Sequence, residues 1–171
     1  MKTYKLVIFD LDGTILDTTE GILLSVIDTI NKYKLKVPSE DVLRSFIGPP
    51  IQLSFKKLYD CSDEVIQEMA TEFRNRYSNS DNLFKALAYD GIYELFDYLK
   101  AHGYQIAIAT YKREDYALRL LSEFGFDKYT DIMYGGDNDN KLKKRDIIVK
   151  CMEKAGITNH RDALMIGDTE H

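Results

Sequence analysis

The sequence predicts an α/β fold, a doubly wound parallel sheet interrupted by an all-helical insertion. Three observations carry this. Apolar runs of strand length recur at 4–9, 104–109 and 163–166, and each gives way to a polar residue: Asp10, Thr110 and, one position beyond Gly167, Asp168. Helical patterns at about 91–102, 113–124 and 144–155 follow the alternation, each closed by a glycine (Gly103, Gly125, Gly156) suited to a left-handed C-terminal cap. From about residue 16 to 85 the alternation stops, and four helices are expected near 18–33, 39–46, 50–60 and 63–79.

The first run is uniformly apolar from Leu6 to Phe9, as a strand buried on both faces must be. Asp10 and Asp12 stand two residues apart at its end, so in extended chain their carboxylates point the same way, and Gly13 then permits a tight turn. Like charges facing one pocket repel. Such a pair calls for a cation or a shared proton, and a site built of oxygens suits magnesium better than zinc. Taken alone, Asp-x-Asp-Gly is equally a solvated turn.

In the insertion, Ser39 ahead of Val42 and Leu43, and Asp63 ahead of Val65, Ile66 and Met69, read as N-caps followed by apolar stripes. Stripes at that spacing serve a bundle core rather than a ligand. FIGPP, residues 46–50, breaks the chain between two of these helices, and Arg44 before it reads as a surface residue. The expected domains are therefore 1–15 with 86–171, and 16–85, joined by two crossings that would suit a lid. Past the second strand, Thr110 reads as the N-cap of the next helix. Lys141, Lys143 and Lys144 form a charged run that by itself is a solvated loop. The last strand should deliver Asp168 to the edge of the sheet where Asp10 and Thr110 emerge, the place where open α/β sheets bind ligands.

Composition narrows the function. At 171 residues, with 44% hydrophobic and 30% charged residues, the chain is an ordinary globular protein. Its net charge of −5, spread along the chain, offers no basic footprint for nucleic acid. Cys61 and Cys151 lack the spacing of a thiolate metal site or a disulfide framework, and a reducing cytoplasm is expected. His102, His160 and His171 are too scattered for a histidine metal cluster. No apolar run approaches the roughly 20 residues needed to span a bilayer, and no signal-peptide pattern precedes Asp10.

The run FDLDGTILD, residues 9–17, resembles the first motif of the haloacid dehalogenase-like hydrolase superfamily. Thr110 after IAIA resembles the second motif, a lysine near 144 the third and MIGD, residues 165–168, the fourth. The inserted helices stand where that superfamily carries a helical cap, and FIGPP resembles a segment of its phosphoglycolate-phosphatase-like members. The resemblance implies a Rossmann-like core and a magnesium-dependent phosphatase acting on a small phosphorylated metabolite of the phosphoglycolate type. Nucleoside monophosphates and pyrophosphate are other substrates it admits; a phosphomutase and a non-catalytic binding protein are the alternatives.

By the same resemblance Asp10 is the nucleophile and Asp12 the general acid and base, which asks that Asp12 change protonation state near neutral pH. Asp10, the backbone carbonyl of Asp12 and Asp168 hold Mg2+. Thr110 and the amide of Tyr111 bind the phosphoryl group, and Lys144 supplies a fixed positive charge. Lys144 is preferred to Lys143 because it stands two residues before Asp146, an acid that opens an apolar helix. The sequence ends at Thr169, Glu170 and His171, inside the fourth motif. Glu170 is too close to Asp168 to be the motif's usual second acid, and a longer parent protein is expected.

Overall fold

The computed structural model of the chain describes residues 4–79, 81–137 and 141–168. In chain order it contains β1 (Leu6–Phe9), β2 (Leu16–Asp17), α1 (Thr19–Lys32), α2 (Glu40–Arg44), α3 (Ile51–Leu58), α4 (Asp63–Asn79), β3 (Leu87–Ala88) and α5 (Ile92–Ala101). β4 (Gln105–Arg113), α6 (Glu114–Glu123), β5 (Met133–Gly136), α7 (Lys144–Lys154) and β6 (Ala163–Ile166) follow. The chain divides into two compact units, Met1–Asp17 with Leu87–His171, and Thr18–Ala86.

The first unit is the α/β unit. Its four-stranded sheet has the order β5-β4-β1-β6 and every pairing is parallel. β1 lies between β4 and β6, with Phe9 opposite Ile108 on one side and Ile166 on the other, so β1 and β6 end level with one another while β4 continues past them. Alternation along β1 sends its side chains to opposite faces. Leu6 and Ile8 join Ala107, Ala109 and the α7 residues Ile147, Cys151 and Met152 in one cluster. Phe9 faces the other way, where its ring lies 4.8 Å from Phe96 of α5, and Phe96 lies 5.4 Å from Phe126. Helices on both faces make the sheet doubly wound, and each fully buried side chain of this size is worth about 1.5–3 kcal/mol. Gly103, Gly125 and Gly156 adopt positive φ behind α5, α6 and α7, as caps of that kind require.

Three features depart from the sequence reading. β4 does not stop at residue 109 but runs to Arg113, so α6 begins at Glu114 with Arg113 at its N-cap, and Thr110 is a strand residue rather than a helix cap. β5, with the sequence MYGG, has neither the apolar run nor the β-branched content that marks a strand; backbone pairing to β4 creates it. Residues Leu16–Asp17 also pair antiparallel with Leu87–Ala88, a ladder too short for any periodicity to reveal.

The second unit, Thr18–Ala86, holds α1 to α4 and a short 3₁₀ turn over Asp81–Phe84. Val26, Ile30, Phe55 and Met69 are fully buried within it, and the Phe46 and Phe55 rings meet edge-on at 5.2 Å. α2 is shorter than the expected 39–46, ending at Arg44 ahead of Gly48, Pro49 and Pro50, which cannot continue a helix. Gly21 sits where an added Cβ would fall 1.9 Å from the Asn82 carbonyl, and Asn82 Nδ2 donates to Ser25 Oγ at 3.1 Å, drawing the 3₁₀ turn onto α1. Arg44 is exposed and paired with Glu40 at 2.8 Å. No helix among the described residues is long and apolar enough to cross a membrane.

Candidate active site

Asp10 follows directly on β1, and its amide still donates to the β6 carbonyl of Ile166 at 2.9 Å, so its backbone is fixed by the sheet. Its Oδ1 accepts from the Leu11 amide at 2.7 Å. The chain then turns tightly: Gly13 takes φ 75°, its amide donates to Leu16, and the amides of Ile15 and Leu16 both donate to Leu11. Gly13 is required twice over. A Cβ there would be strained at positive φ and would fall 2.4 Å from Asp168 Oδ2, because the Asp168 carboxylate lies directly against this turn. At Gly167 a Cβ would fall 3.6 Å from that of Asp10. Level strand ends thus bring Asp10, the turn after it and Asp168 to one place.

Among the described residues no three His, Cys, Asp or Glu side chains gather to hold a metal. Two carboxylates and the backbone carbonyl of Asp12 are nonetheless a donor set of hard oxygens. That fits Mg2+, which takes one or two protein carboxylates and leaves its other positions to water and substrate phosphate. Cys151 is buried, and that burial pushes its thiol pKa up to about 12, which disfavours the thiolate a nucleophile needs.

Asp10 and Asp12 each meet a buried lysine. Lys144, the first residue of α7, places Nζ 2.5 Å from Asp10 Oδ2, with the two side chains 5% and 15% exposed. Its ammonium also lies 5.7 Å from the centre of the Tyr111 ring. Burial raises the Asp10 pKa and the nearby Asp12 charge adds to this, while Lys144 and the Leu11 amide pull it down; the net direction is upward. Lys143 is the N-cap of α7 and is exposed, as is Lys141; Asp146 Oδ2 accepts from the Lys143 amide at 2.9 Å. The structure therefore brings Lys144, not Lys143, to Asp10.

The second lysine is Lys112, which the sequence reading passed over. Its Nζ lies 3.1 Å from Asp12 Oδ1, with the two side chains 6% and 10% exposed. The available signal was its place two residues after Thr110, hidden by the expectation of a helix from 113. Thr110 itself is buried, 1% exposed, and its Oγ1 accepts from the Lys112 amide at 3.1 Å. Tyr111 between them lies on the strand, so its amide belongs to the end of β4 and not to a helix N-terminus. Thr169, Glu170 and His171 lie outside the described residues.

Residues 7–171 match the family described as haloacid dehalogenase-like hydrolase. The chain belongs to the haloacid dehalogenase-like hydrolase family. Among this hydrolase's relatives, a 5'-nucleotidase of Pseudomonas aeruginosa is 31% identical over 169 residues, covering 98% of this chain and 76% of the relative. A pyrophosphatase of Halalkalibacterium halodurans is 32% identical over 168 residues, covering 96% and 75%. The crystal structure of a predicted phosphatase from Clostridium acetobutylicum superposes with a TM-score of 0.87 at 36% identity, covering 98% of this hydrolase and 77% of that chain.

Proposed function

We propose that this phosphatase of the haloacid dehalogenase-like family hydrolyses a small phosphate ester of the phosphoglycolate type through an aspartyl-phosphate on Asp10, with Mg2+ as cofactor. The observation that carries the reading is the Asp10 carboxylate fixed at the end of β1 with the Lys144 ammonium 2.5 Å away. A carboxylate is a weak nucleophile, and against a phosphate dianion its effectiveness depends on position and on cancelled charge.

In the first step an Asp10 oxygen attacks phosphorus, the bond from phosphorus to the leaving oxygen breaks, and Asp12 gives its proton to that oxygen. In the second, Asp12 takes a proton from water, the water oxygen attacks phosphorus, and the Asp10 carboxylate is released with inorganic phosphate. Thr110 accepts from the Lys112 amide, which leaves its own O–H to donate to a phosphoryl oxygen alongside the Tyr111 amide. Lys144 offsets charge on Asp10 and on the phosphoryl group together. Asp10, the Asp12 carbonyl and Asp168 would hold Mg2+, whose charge offsets the repulsion between nucleophile and phosphate.

In this reading the Thr18–Ala86 unit selects the substrate, and the enzyme works in the cytoplasm on a metabolite rather than on nucleic acid, in keeping with a net charge of −5. The relatives named 5'-nucleotidase and pyrophosphatase make nucleoside monophosphates and pyrophosphate the competing substrates. The test is phosphate release with and without Mg2+ from phosphoglycolate, nucleoside monophosphates, pyrophosphate and hexose phosphates, with Asp10→Asn as control. Metal-dependent release lost in Asp10→Asn is expected, fastest from phosphoglycolate. Release that survives the substitution would remove Asp10 from the chemistry.

A further inference from the structure

We propose that Lys112 is a positioning residue for Asp12, holding its carboxyl in the orientation from which the proton reaches the leaving group; this rests on the phosphatase reading above. An ammonium buried to 6% exposure is costly to desolvate and is tolerated only where a partner meets it, and Asp12 Oδ1 does so at 3.1 Å. The two lysines do not duplicate one another, since Lys144 meets Asp10 and Lys112 meets Asp12.

The backbone is shaped to deliver this side chain. Four residue steps on β4, from Ala109 to Arg113, lie opposite two on β5, from Tyr134 to Gly136, so β4 carries extra chain just where Lys112 sits. Gly135 and Gly136 make room for it. A Cβ on Gly135 would fall 2.5 Å from Glu114 Cα and 2.6 Å from the Lys112 carbonyl oxygen, and one on Gly136 would fall 2.6 Å from the Tyr111 carbonyl oxygen. Glu114 Oε2 accepts from the Gly135 amide at 3.0 Å, and the Lys112 amide donates to Thr110 Oγ1 at 3.1 Å. The base of Lys112 is thus held from both sides before its ammonium reaches Asp12.

A carboxyl that must give a proton in one step and take one in the next gains from a fixed orientation, because a misplacement of about 1 Å can cost 100-fold in rate. The consequence depends on the leaving group. An alkyl alcohol leaves only with a proton, so both steps need Asp12 in place. p-Nitrophenolate leaves as an anion and relieves the first step of that need, while hydrolysis of the aspartyl-phosphate still requires it.

The experiment compares wild type, Lys112→Met and Lys112→Arg on an alkyl phosphate and on p-nitrophenyl phosphate, together with crystal structures of all three proteins. For Lys112→Met, kcat on the alkyl ester should fall on the order of 10–100-fold with little change in KM. With p-nitrophenyl phosphate a burst of one equivalent of nitrophenolate should precede slow turnover, as phosphoenzyme accumulates. Lys112→Arg should recover part of kcat, and the Asp12 carboxyl should leave its position only in Lys112→Met. An Asp12 carboxyl unmoved in Lys112→Met overturns the proposal. So does an equal rise in KM for both substrates, which would make Lys112 a phosphate contact, or an equal loss that follows the folded fraction. Wild type without Asp10-dependent turnover would overturn the phosphatase reading instead, and the Asp12 orientation in the variant structures would still decide the role of Lys112.

Discussion

The two sides of the site solve one electrostatic problem by different routes. On the Asp10 side, the lysine arrives on the first turn of α7, and Lys144 is buried because Ile147 and Cys151, three and seven residues on, anchor that helix against the sheet. On the Asp12 side, the lysine arrives on a strand that overruns its neighbour, and its place depends on two glycines more than twenty residues downstream. The first arrangement is local in sequence and the second is not. A helix start tolerates changes elsewhere, whereas the strand extension stands or falls with the backbone approach at Gly135 and Gly136.

The largest effect that can break this comparison is on the Asp10 side. Lys144→Met removes the strongest influence holding the Asp10 pKa down, so turnover should fall on the order of 10²–10³-fold. In metal-free protein the Asp10 carboxyl, followed by carbon-13 NMR, should titrate higher in Lys144→Met than in wild type, where burial already raises it from its ordinary value. The sign for stability follows. A group whose folded pKa is raised favours the fold while protonated, and that contribution is lost as pH rises from the ordinary carboxylate value through the raised one. An unshifted titration in the variant would show that Lys144 and Asp10 are not coupled.

Gly13→Ala should come next, because it strains the turn at φ 75° by about 1–2 kcal/mol and forces the Asp168 carboxylate away. Calorimetry should show Mg2+ affinity about 10-fold weaker, with a lower Tm. Gly135→Ala sharpens the comparison from the other side. It should cost about 1–3 kcal/mol in thermal unfolding and mimic a mild Lys112→Met, while leaving the Asp10 titration as in wild type. The smallest effect belongs to Arg44→Ala, whose exposed pair with Glu40 should contribute no measurable change in Tm.

These differences also explain what could be read in advance. Asp10, Asp12 and Asp168 stand just past the apolar strands Leu6–Phe9 and Ala163–Ile166, and with Lys144 they lie in short motifs whose resemblance to those of the haloacid dehalogenase-like family points to them. The helices of Thr18–Ala86 were legible because amphipathic stripes declare themselves over a few turns. Lys112 was not, since Thr-Tyr-Lys-Arg suits a strand end and a helix start equally, and only the pairing with β5 decides between them. β5 itself was illegible for the same reason: its glycines weaken any strand signal, yet they are what allows β4 to approach. Thr110 reads as the start of a helix because its run of apolar residues ends there, whereas the strand continues three residues past it.

The most direct test of the account is to quench the enzyme during turnover on a phosphorus-32-labelled substrate and to map the label by peptide mass spectrometry. An acyl phosphate on Asp10, labile to hydroxylamine and absent from Asp10→Asn, is the predicted result. Label on Asp12 or on another residue, or continued turnover with no covalent label in wild type and in Lys112→Met alike, would contradict it.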